Sequence, residues 1–482
     1  MIFYKKKSFF VLVFILTIFI VSTESCKKEK IINSSSAKLL FSTDTVFFDT
    51  VFTNIASVTK ILKVYNHNNG TIVIDNIRLA KAQSSDYRLN INGINSYQAK
   101  DIELAEGDSM YIFIEVTVDP MNTLTPFVVE DSILFNFNGN QVDIDLRSWG
   151  QDAHYIDGRT DEAIIGNETW TNDKPYLIYN SMLVDSGKTL TIEAGTKIYL
   201  HKNSNIYILG TLIINGTKDD PVIIKGDRLD HNYDDLPGQW GRIVFISPSK
   251  NNFINHAEIK GGIIGVQVGG IIESTEKPDL HISNSIIQHM NYASLFSIGG
   301  KITAANCVIA DAGFYNIALL MGGSYEFYHC TSANYWAYSA RKEPSVIISN
   351  NISTEDAMYI SPLEKCYFGN CIIYGTKDDE LGLSNDPGVD FNYSFENCIV
   401  KSSSLDFSDE NIYKNVWKDL NPRFVSPQDF DWQLDTLSQA EDKGDINIVN
   451  NYPYLPDIRT DILENDRTIN NLPDLGAYER TY

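Results

Sequence analysis

The sequence is poor in positive charge. Lysine and arginine total 39 of 482 residues against 62 aspartates and glutamates, so the formal net charge is −23 with histidine neutral. Binding to nucleic acid or to anionic lipid headgroups needs clustered lysine and arginine side chains. The charge balance therefore argues against nucleic acid as a partner.

Short metal-binding motifs are absent as well. The chain contains no Cys-x-x-Cys, His-Glu-x-x-His or His-x-His sequence, and these are spacings from which zinc sites are commonly built. We therefore expect no zinc site, and calcium is the one metal that the acidic segments described below still allow.

The N-terminal apolar run is too short to span a membrane. It extends from Phe9 to Val21, 13 residues, whereas a membrane-spanning helix needs roughly 20. Lysines 5–7 precede it and a short polar stretch ending at Cys26 follows it. Residues 1–25 thus have the three parts of an export signal.

The end of this signal resembles the lipobox of bacterial lipoproteins. Ser25 precedes Cys26, and Ser-Cys-Lys-Lys-Glu is similar to the loose form found in Bacteroidota lipoproteins. The resemblance implies that Cys26 is lipidated and anchors the protein in the outer membrane, where each buried CH₂ of an acyl chain contributes about 0.8 kcal/mol. Residues 26–37 are then a tether. The alternative is an ordinary signal peptide in which Cys26 has no role.

Residues 38–153 predict a β-sandwich. Short alternating runs such as Tyr111 to Val116 are separated by turn sequences such as Asn138-Gly139-Asn140, a pattern typical of sandwiches. The segments VYNHNNGTIVIDNI and VDIDLRSWGQDA resemble an Ig-like domain of bacterial surface proteins. That resemblance implies a spacer or a binding module, and the absence of a charged or metal-ligand cluster favours a spacer.

The remaining chain carries a repeat. Six hexapeptides align, with successive starts 22, 23, 21, 20 and 27 residues apart: ISNSII from Ile282, AANCVI from Ala304, FYHCTS from Phe327, ISNNIS from Ile348, FGNCII from Phe368 and FENCIV from Phe395. One strand pattern per period of about 22 residues predicts a solenoid. Asparagine at the third position suits a corner because it tolerates left-handed backbone angles.

An apolar residue, an Asn corner and then a strand resemble the repeat of the right-handed parallel β-helix, the pectate-lyase-like fold. TLTIEAGTKIYL and PGQWGRIVF resemble its first coils, and DLGAYE resembles its closing segment. We therefore predict an all-β protein in which residues 160–482 form a β-helix of roughly a dozen coils with a C-terminal closing segment.

The repeat also predicts the state of the cysteines. Cys307, Cys330, Cys371 and Cys398 fall in one column, where parallel Cβ directions disfavour the disulfide dihedral. We expect them to be small buried hydrophobic side chains. Cys366 falls outside the column, and we expect it in a turn.

Two segments are candidates for chemistry. The first, KGDRLDHNYDDLPGQW, places six ionisable side chains close together, namely Asp227, Arg228, Asp230, His231, Asp234 and Asp235. Such carboxylates can bind calcium or act as acid and base in polysaccharide cleavage. The alternative is a solvated excursion between two coils.

The second candidate is an aromatic segment. Tyr335, Trp336 and Tyr338 lie near Arg341 and could offer stacking surfaces to sugar rings, although core packing and edge covering would explain the same pattern. Because the fold hosts lyases, hydrolases, adhesins and stalks, three functions stay open. They are a non-catalytic module that binds glycan or another envelope component, a polysaccharide lyase or glycoside hydrolase, and an architectural envelope protein.

Overall fold

The structure is a computed structural model that describes residues 30–271 and 276–481. Cys26 and the predicted export signal lie outside these residues. The chain divides into two compact units, the first ending at Gln151 and the second beginning at Asp152. Within the described ranges, no helix is long and apolar enough to cross a membrane.

The first unit contains two five-stranded sheets, ordered β1-β3-β8-β5-β6 and β2-β10-β9-β4-β7. Their apolar inner faces form one core around residues such as Leu62, Ile112 and Phe135. A 3₁₀ turn spans Ala82–Ser84. The strands are β1 Leu40–Phe41, β2 Thr45–Phe52, β3 Lys60–Tyr65, β4 Ile72–Leu79, β5 Tyr87–Ile91, β6 Ile94–Asn95, β7 Gln98–Leu104, β8 Ser109–Val116, β9 Phe127–Phe137 and β10 Asn140–Gln151.

The second unit is built from short parallel strands. Up to the middle of the unit they are β11 His154–Asp157, β12 Ile164–Ile165, β13 Glu168–Trp170, β14 Tyr176–Tyr179, β15 Met182–Val184, β16 Thr189–Glu193, β17 Lys197–Leu200, β18 Ile206–Ile208, β19 Thr211–Asn215, β20 Val222–Gly226, β21 Ile243–Phe245, β22 Asn252–Asn255, β23 Ala257–Lys260, β24 Ile264–Gly269, β25 Asp279–Ser283, β26 Ile286–Gln288 and β27 Ala293–Ile298.

The later strands are β28 Lys301–Ala305, β29 Val308–Ala310, β30 Tyr315–Leu320, β31 Gly323–Tyr328, β32 Thr331–Asn334, β33 Val346–Ser349, β34 Asn351–Ser353, β35 Met358–Ile360, β36 Leu363–Gly369, β37 Ile372–Gly375, β38 Leu381–Ser384, β39 Ser394–Val400, β40 Tyr413–Lys418, β41 Phe424–Ser426 and β42 Asp431–Leu434. Helix α1 spans Ile446–Asn450, and 3₁₀ turns span Asp161–Ala163 and His231–Tyr233.

These strands stack into three faces. Face 1 runs from β13 through β16, β19, β22, β25, β28, β31 and β36 to β39 and β40, and face 2 runs from β11 through β14, β17, β20, β23, β26, β29 and β32 to β37, the two forming one 19-stranded sheet. Face 3 is a nine-stranded sheet, β12-β15-β18-β21-β24-β27-β30-β33-β38. Each coil visits faces 1, 2 and 3 in turn, which is the parallel β-helix that the repeat predicts.

Like side chains stack on like along the interior. On face 2, Ile198, Ile224, Ile259, Ile287 and Ile309 are successive register partners, and all are buried. Burying each such side chain contributes about 1.5–3 kcal/mol. The predicted all-β class, with its long parallel sheets, is thereby confirmed.

The corner between faces 1 and 2 is made by asparagine. Asn284, Asn306, Asn370 and Asn397 have φ angles of 48°, 51°, 54° and 51°, a left-handed conformation that few residues other than glycine and asparagine adopt readily. The amide of Asn306 donates to the side-chain oxygen of Asn284 at 3.0 Å. The left-handed geometry expected of this position is confirmed, and the asparagine side chains also bond to one another along the stack.

One of the six repeat copies does not lie at this corner. Ile348 belongs to β33 on face 3, and Asn351 begins β34, which pairs antiparallel with β35. Strand β33 stacks on β30 in face 3, and the chain next returns to face 1 at β36, which pairs with β31. The β34–β35 hairpin between β33 and β36 is therefore an excursion from the coil. The alignment at ISNNIS was therefore wrong, because a short apolar-Asn pattern also suits the end of a face 3 strand.

The cysteine column forms as predicted, whereas the separate prediction for Cys366 does not hold. All five cysteines of the described residues are free and buried, and the Cys371 thiol donates to the carbonyl oxygen of Gly369 at 3.3 Å. Cys366 was predicted in a turn, which is wrong. It lies in β36 beside Tyr325 with its side chain in the core, because β36 begins earlier than its hexapeptide.

The closing segment, residues 421–481, covers the outside of faces 1 and 2. On face 2, Phe424 and Trp432 pack on Val308 and Ile372. On face 1, Ile448 packs with Tyr328. Between these contacts the segment crosses the Asn corner, where the Asn370 side chain donates to the carbonyl oxygen of Asp445.

Candidate functional site

The acidic segment connects β20 on face 2 to β21 on face 3. Its carboxylates are held individually by neighbouring side chains. Asp227 accepts hydrogen bonds from Tyr179 at 3.2 Å and from His201 at 2.7 Å. Asp230 lies 3.2 Å from the guanidinium of Arg228. His231, by contrast, is almost fully exposed.

The last two carboxylates fold back onto lysines of face 2. Lys225 Nζ lies 2.7 Å from Asp234, and Lys260 Nζ lies 3.3 Å from Asp235. Burial acts to raise the pKa of Asp234, but the hydrogen bond and charge of Lys225 outweigh it and lower the pKa below its usual value. The acidic segment thus neutralises two lysines, Lys225 and Lys260, on the outer surface of the coil.

This arrangement does not fit a calcium ion. Calcium takes six to eight oxygen ligands around one point, whereas these carboxylates are spread over separate cations. In the part of the chain that the structure describes, no group of three or more His, Cys, Asp or Glu side chains comes together to hold a metal.

The aromatic segment leaves the same corner of the coil, between β32 and β33. Arg341 forms a two-point ion pair with Glu380 at 2.7 and 2.5 Å, and both side chains are buried. Trp336 is 9% exposed and Tyr335 packs near Trp432. Tyr338 is 47% exposed. Arg341 therefore has a structural pairing rather than a face open to a ligand.

The two predicted segments meet over this corner. The Tyr338 hydroxyl donates to the backbone oxygen of Asp235 at 2.9 Å. Beneath them lies His289, whose Nε2 is 3.8 Å from the Asp235 carboxylate. Asp311 occupies the equivalent corner of the next coil and accepts from the backbone N–H of Tyr335 at 2.8 Å.

The polar groups under this corner are closed off from solvent. Burial lowers the pKa of His289 and raises the pKa of Asp311 to about 7. The His289 ring packs edge-on against Phe430, with centroids 4.2 Å apart, and its side chain is fully buried. A histidine so placed cannot touch a polysaccharide substrate in this arrangement, although its chemistry beside Asp235 would suit proton transfer.

A more open site lies on the outer surface of face 1. It is a cleft of about 400 Å³ between the last coils and helix α1, and we call it the tyrosine cleft. Its lining includes the side chains of Tyr328, Lys365, Tyr367, Glu396, Lys414 and Asn447.

Glycine shapes the floor of the tyrosine cleft. Tyr328, Gly369, Glu396 and Lys414 are register partners on successive strands. A Cβ atom at Gly369 would lie 2.6 Å from the Tyr367 hydroxyl oxygen and 2.8 Å from its ring. The missing side chain therefore lets the Tyr367 ring lie flat across the strand.

A charged pair, Lys365 with Glu326, lies beside the rings of Tyr328 and Tyr367. Tyr328 donates to Glu326 at 2.5 Å, and Lys365 lies 3.0 Å from the same carboxylate. Burial opposes ionisation of Glu326, yet the hydrogen bonds from Tyr328 and Lys365 hold its pKa below the usual value.

A second pair stands on the other side of Tyr367. The Tyr367 hydroxyl donates to Glu396 at 3.1 Å, and Lys414 is ion-paired with Glu396. Lys414 is more than half exposed. The tyrosine cleft thus combines a flat aromatic surface with ionised and amide groups at its rim.

Sequence reasoning missed most of this site. The aromatic candidate of the sequence was a different segment, residues 335–341, and the side chains of the cleft are separated by up to about 80 residues from Lys365 to Asn447. One signal in the sequence could have indicated the cleft. Tyr367 and Gly369 are two residues apart, so in a strand they face the same side, and a glycine within a strand indicates that another group approaches closely.

Comparison with known families supports the fold. A family model described as a pectate-lyase-like β-helix domain matches residues 162–275, less than a quarter of the chain. That range contains β12 to β24 and ends before the strands that carry the tyrosine cleft. A pectate-lyase-like β-helix fits a glycan-binding or polysaccharide-acting role.

A curated relative is matched over a short stretch. The chain is 32% identical over 109 residues to the protein bark beetle of Drosophila melanogaster, which is 21% of this chain and 3% of that protein. The chain therefore spans only a small fraction of that relative's length.

Solved structures are similar over similarly small parts. A PapD-like domain of human CEP192 is 11% identical, with a TM-score of 0.19, over 27% of this chain and 94% of that chain. A family 123 glycoside hydrolase from Clostridium perfringens is 6% identical, with a TM-score of 0.17, over 23% of this chain and 25% of that one.

Proposed function

We propose that the protein is a cell-envelope lipoprotein that binds a glycan in the tyrosine cleft without cleaving it. The observation that carries this proposal is the Tyr367 ring lying flat over Gly369 between the Lys365–Glu326 and Lys414–Glu396 pairs. A ring face packs against the C–H groups of a sugar, and polar groups at the rim fix its hydroxyls.

The cleft favours binding over catalysis. Glu326 is engaged by Tyr328 and Lys365, and Glu396 is engaged by Tyr367 and Lys414. A general acid must hold a proton at working pH, whereas the pKa of Glu326 is lowered. These carboxylates are suited to accept hydrogen bonds from hydroxyl groups.

The proposal includes attachment to a membrane through a lipid on Cys26. Its support is the sequence alone, Ser-Cys-Lys-Lys-Glu after a 13-residue apolar run, because Cys26 lies outside the described residues. A lipidated Cys26 would attach the protein to the outer membrane. Mass analysis of the mature N-terminus, with Cys26→Ala as the unmodified comparison, tests this part.

The glycan proposal is tested with a panel of acidic and neutral oligosaccharides. We expect Tyr367→Ala to weaken binding of the best ligand roughly tenfold or more, as removal of an aromatic anchor does, measured by isothermal titration calorimetry. Tyr359→Ala is the matched control, since Tyr359 is exposed in the β34–β35 hairpin and does not line the cleft. Equal loss in both variants would refute a site at Tyr367.

A polysaccharide lyase or glycoside hydrolase is the second candidate. The partly exposed carboxylate of Asp235, which lies 3.3 Å from Lys260 Nζ, favours it. The same panel is therefore scored for unsaturated or reducing-end products. Product formation that Asp235→Asn abolishes would replace the binding proposal, and neither binding nor products would leave an architectural role.

A further inference from the structure

The first unit has a cleft of its own, separate from everything used so far. It has a volume of about 570 Å³ and lies over β5 and β8. Outward-facing residues of these strands, Arg88 with Asn90 and Phe113 with Glu115, form its floor, and Asn95 and Tyr97 also line it. We call it the Arg88 cleft. A volume of this size is in the range of small-molecule sites.

Two aromatic rings in the Arg88 cleft are open. Phe113 and Tyr97 are each 39% exposed, although large apolar side chains on a sheet face normally pack against a neighbour. Their register places Phe113 opposite Asn90, and the Asn90 amide donates to Asn95 at 2.7 Å. Ring faces next to amide groups are complementary to a sugar ring, which has C–H surfaces and hydroxyl edges.

Of the two charged side chains in the Arg88 cleft, Glu115 has a hydrogen-bond partner and Arg88, within the part of the chain that the structure describes, does not. Glu115 accepts a hydrogen bond from the Thr59 hydroxyl at 2.7 Å. Arg88 stands opposite Glu115 in the register, but among the described residues its guanidinium makes no hydrogen bond or ion pair. The Arg88 guanidinium is therefore available to an anionic ligand in the cleft. Its planar donors match a carboxylate at two points.

We propose that the Arg88 cleft binds an acidic saccharide, with Arg88 pairing with the carboxylate of a uronate residue and Phe113 and Tyr97 packing on the sugar. This makes the sandwich a binding module in its own right rather than a spacer. The inference does not depend on the tyrosine cleft, which uses different residues of a different unit.

The test uses the purified full chain and two probes that differ only at C6, methyl β-D-glucuronoside and methyl β-D-glucoside. Binding is followed by ligand-observed NMR titration. We expect the glucuronoside to bind more tightly than the glucoside. We expect Arg88→Gln to weaken glucuronoside binding roughly tenfold and to abolish the preference, because the substitution removes a charged hydrogen-bond donor.

Two variants control this experiment. Arg78→Gln removes an arginine of β4 on the other sheet and should leave both affinities unchanged. Tyr359→Ala, in the β34–β35 hairpin of the second unit, should also leave them unchanged. Melting temperatures of all variants establish that they are folded.

Three results with the unaltered protein and Arg88→Gln would overturn the proposal. They are the absence of glucuronoside binding to the unaltered protein, a preference that persists in folded Arg88→Gln, and equal affinity for the two probes. If Phe113→Ala, folded, binds the glucuronoside as tightly as the unaltered chain, the site is an anion site without sugar recognition and the proposal also fails.

Discussion

At the scale of single residues, the backbone at the Asn corner limits which side chains can stand there. His329 takes the place of asparagine with a φ of 47°, and its Nε2 meets the Asn370 amide at 2.8 Å. Burial lowers the pKa of His329 far below its usual value, so the ring is neutral and can accept that hydrogen bond. The corner thus selects for left-handed geometry and an acceptor, properties that asparagine and neutral histidine share.

Asp311 gives a pH-dependent prediction at this scale. Burial raises its pKa to about 7, above the unfolded value of about 3.9, so the folded state holds a proton that the unfolded state has lost between these pH values. Stability from this group is therefore lost as pH rises toward 7. Asp311→Asn keeps an acceptor for Tyr335 and removes the titration.

We expect the melting temperature of Asp311→Asn to match the unaltered protein near pH 4 and to exceed it increasingly from there up to pH 8. Asp219→Asn is the control, because Asp219 is exposed in the loop between β19 and β20. A difference between Asp311→Asn and the unaltered protein that is constant with pH would contradict a buried, titrating carboxyl group.

The cysteines give a second prediction at the residue scale. Burial raises the pKa of Cys366 and Cys371, and a thiol reacts through its thiolate. We expect Cys307, Cys330, Cys366, Cys371 and Cys398 to be unreactive toward a thiol reagent in the native protein and to react fully in denaturant without reductant. Mass mapping of the labelled peptides identifies each thiol. Any of the five that needs reductant before it reacts is disulfide-bonded.

At the scale of elements, the closing segment is held by one buried cation as well as by apolar contacts. Arg467 is fully buried, lies 3.1 Å from Glu479 and donates to Asn306 and to the backbone oxygen of Gly476. These contacts join the segment to the Asn corner. The segment also forms the α1 wall of the tyrosine cleft, so its docking affects that site.

Removal of Arg467 should release the closing segment. Breaking a buried pair typically costs about 3–5 kcal/mol because the partner charge is left unpaired. We expect Arg467→Met to lower the melting temperature and to expose the segment to limited proteolysis near residue 460. Arg459→Met, an exposed arginine in the same segment, should change neither, and equal sensitivity of the two variants would contradict this role.

At the scale of the whole molecule, the two units carry their polar surfaces differently. In the second unit, loop carboxylates pair with the outward lysines Lys225 and Lys260, whereas in the described part of the first unit Arg88 faces its cleft without such a pair. The protein is therefore suited to meet ligands on outer surfaces of sheets, since the interior of the coil is filled by stacked side chains.

Local sequence patterns were sufficient to predict the all-β class and the coil. A repeat near 22 residues, an asparagine that tolerates left-handed φ and a following β-branched strand are local properties, and local properties can be seen in sequence. The same repeat identified four cysteines as interior, and its first position also stacks in the core, where Phe327 lies on Phe368 with ring centroids 4.5 Å apart.

Which outward-facing side chains lie next to one another depends on the tertiary structure. The acidic and aromatic segments are about 100 residues apart in sequence but leave the same corner of the coil, so Tyr338 contacts Asp235. Lys365 and Glu396 flank Tyr367 because stacking and the closing segment bring separate coils together. Outward-facing residues are free of the packing constraint that makes a repeat visible, and for that reason the repeat located the coil but not the clefts on its surface.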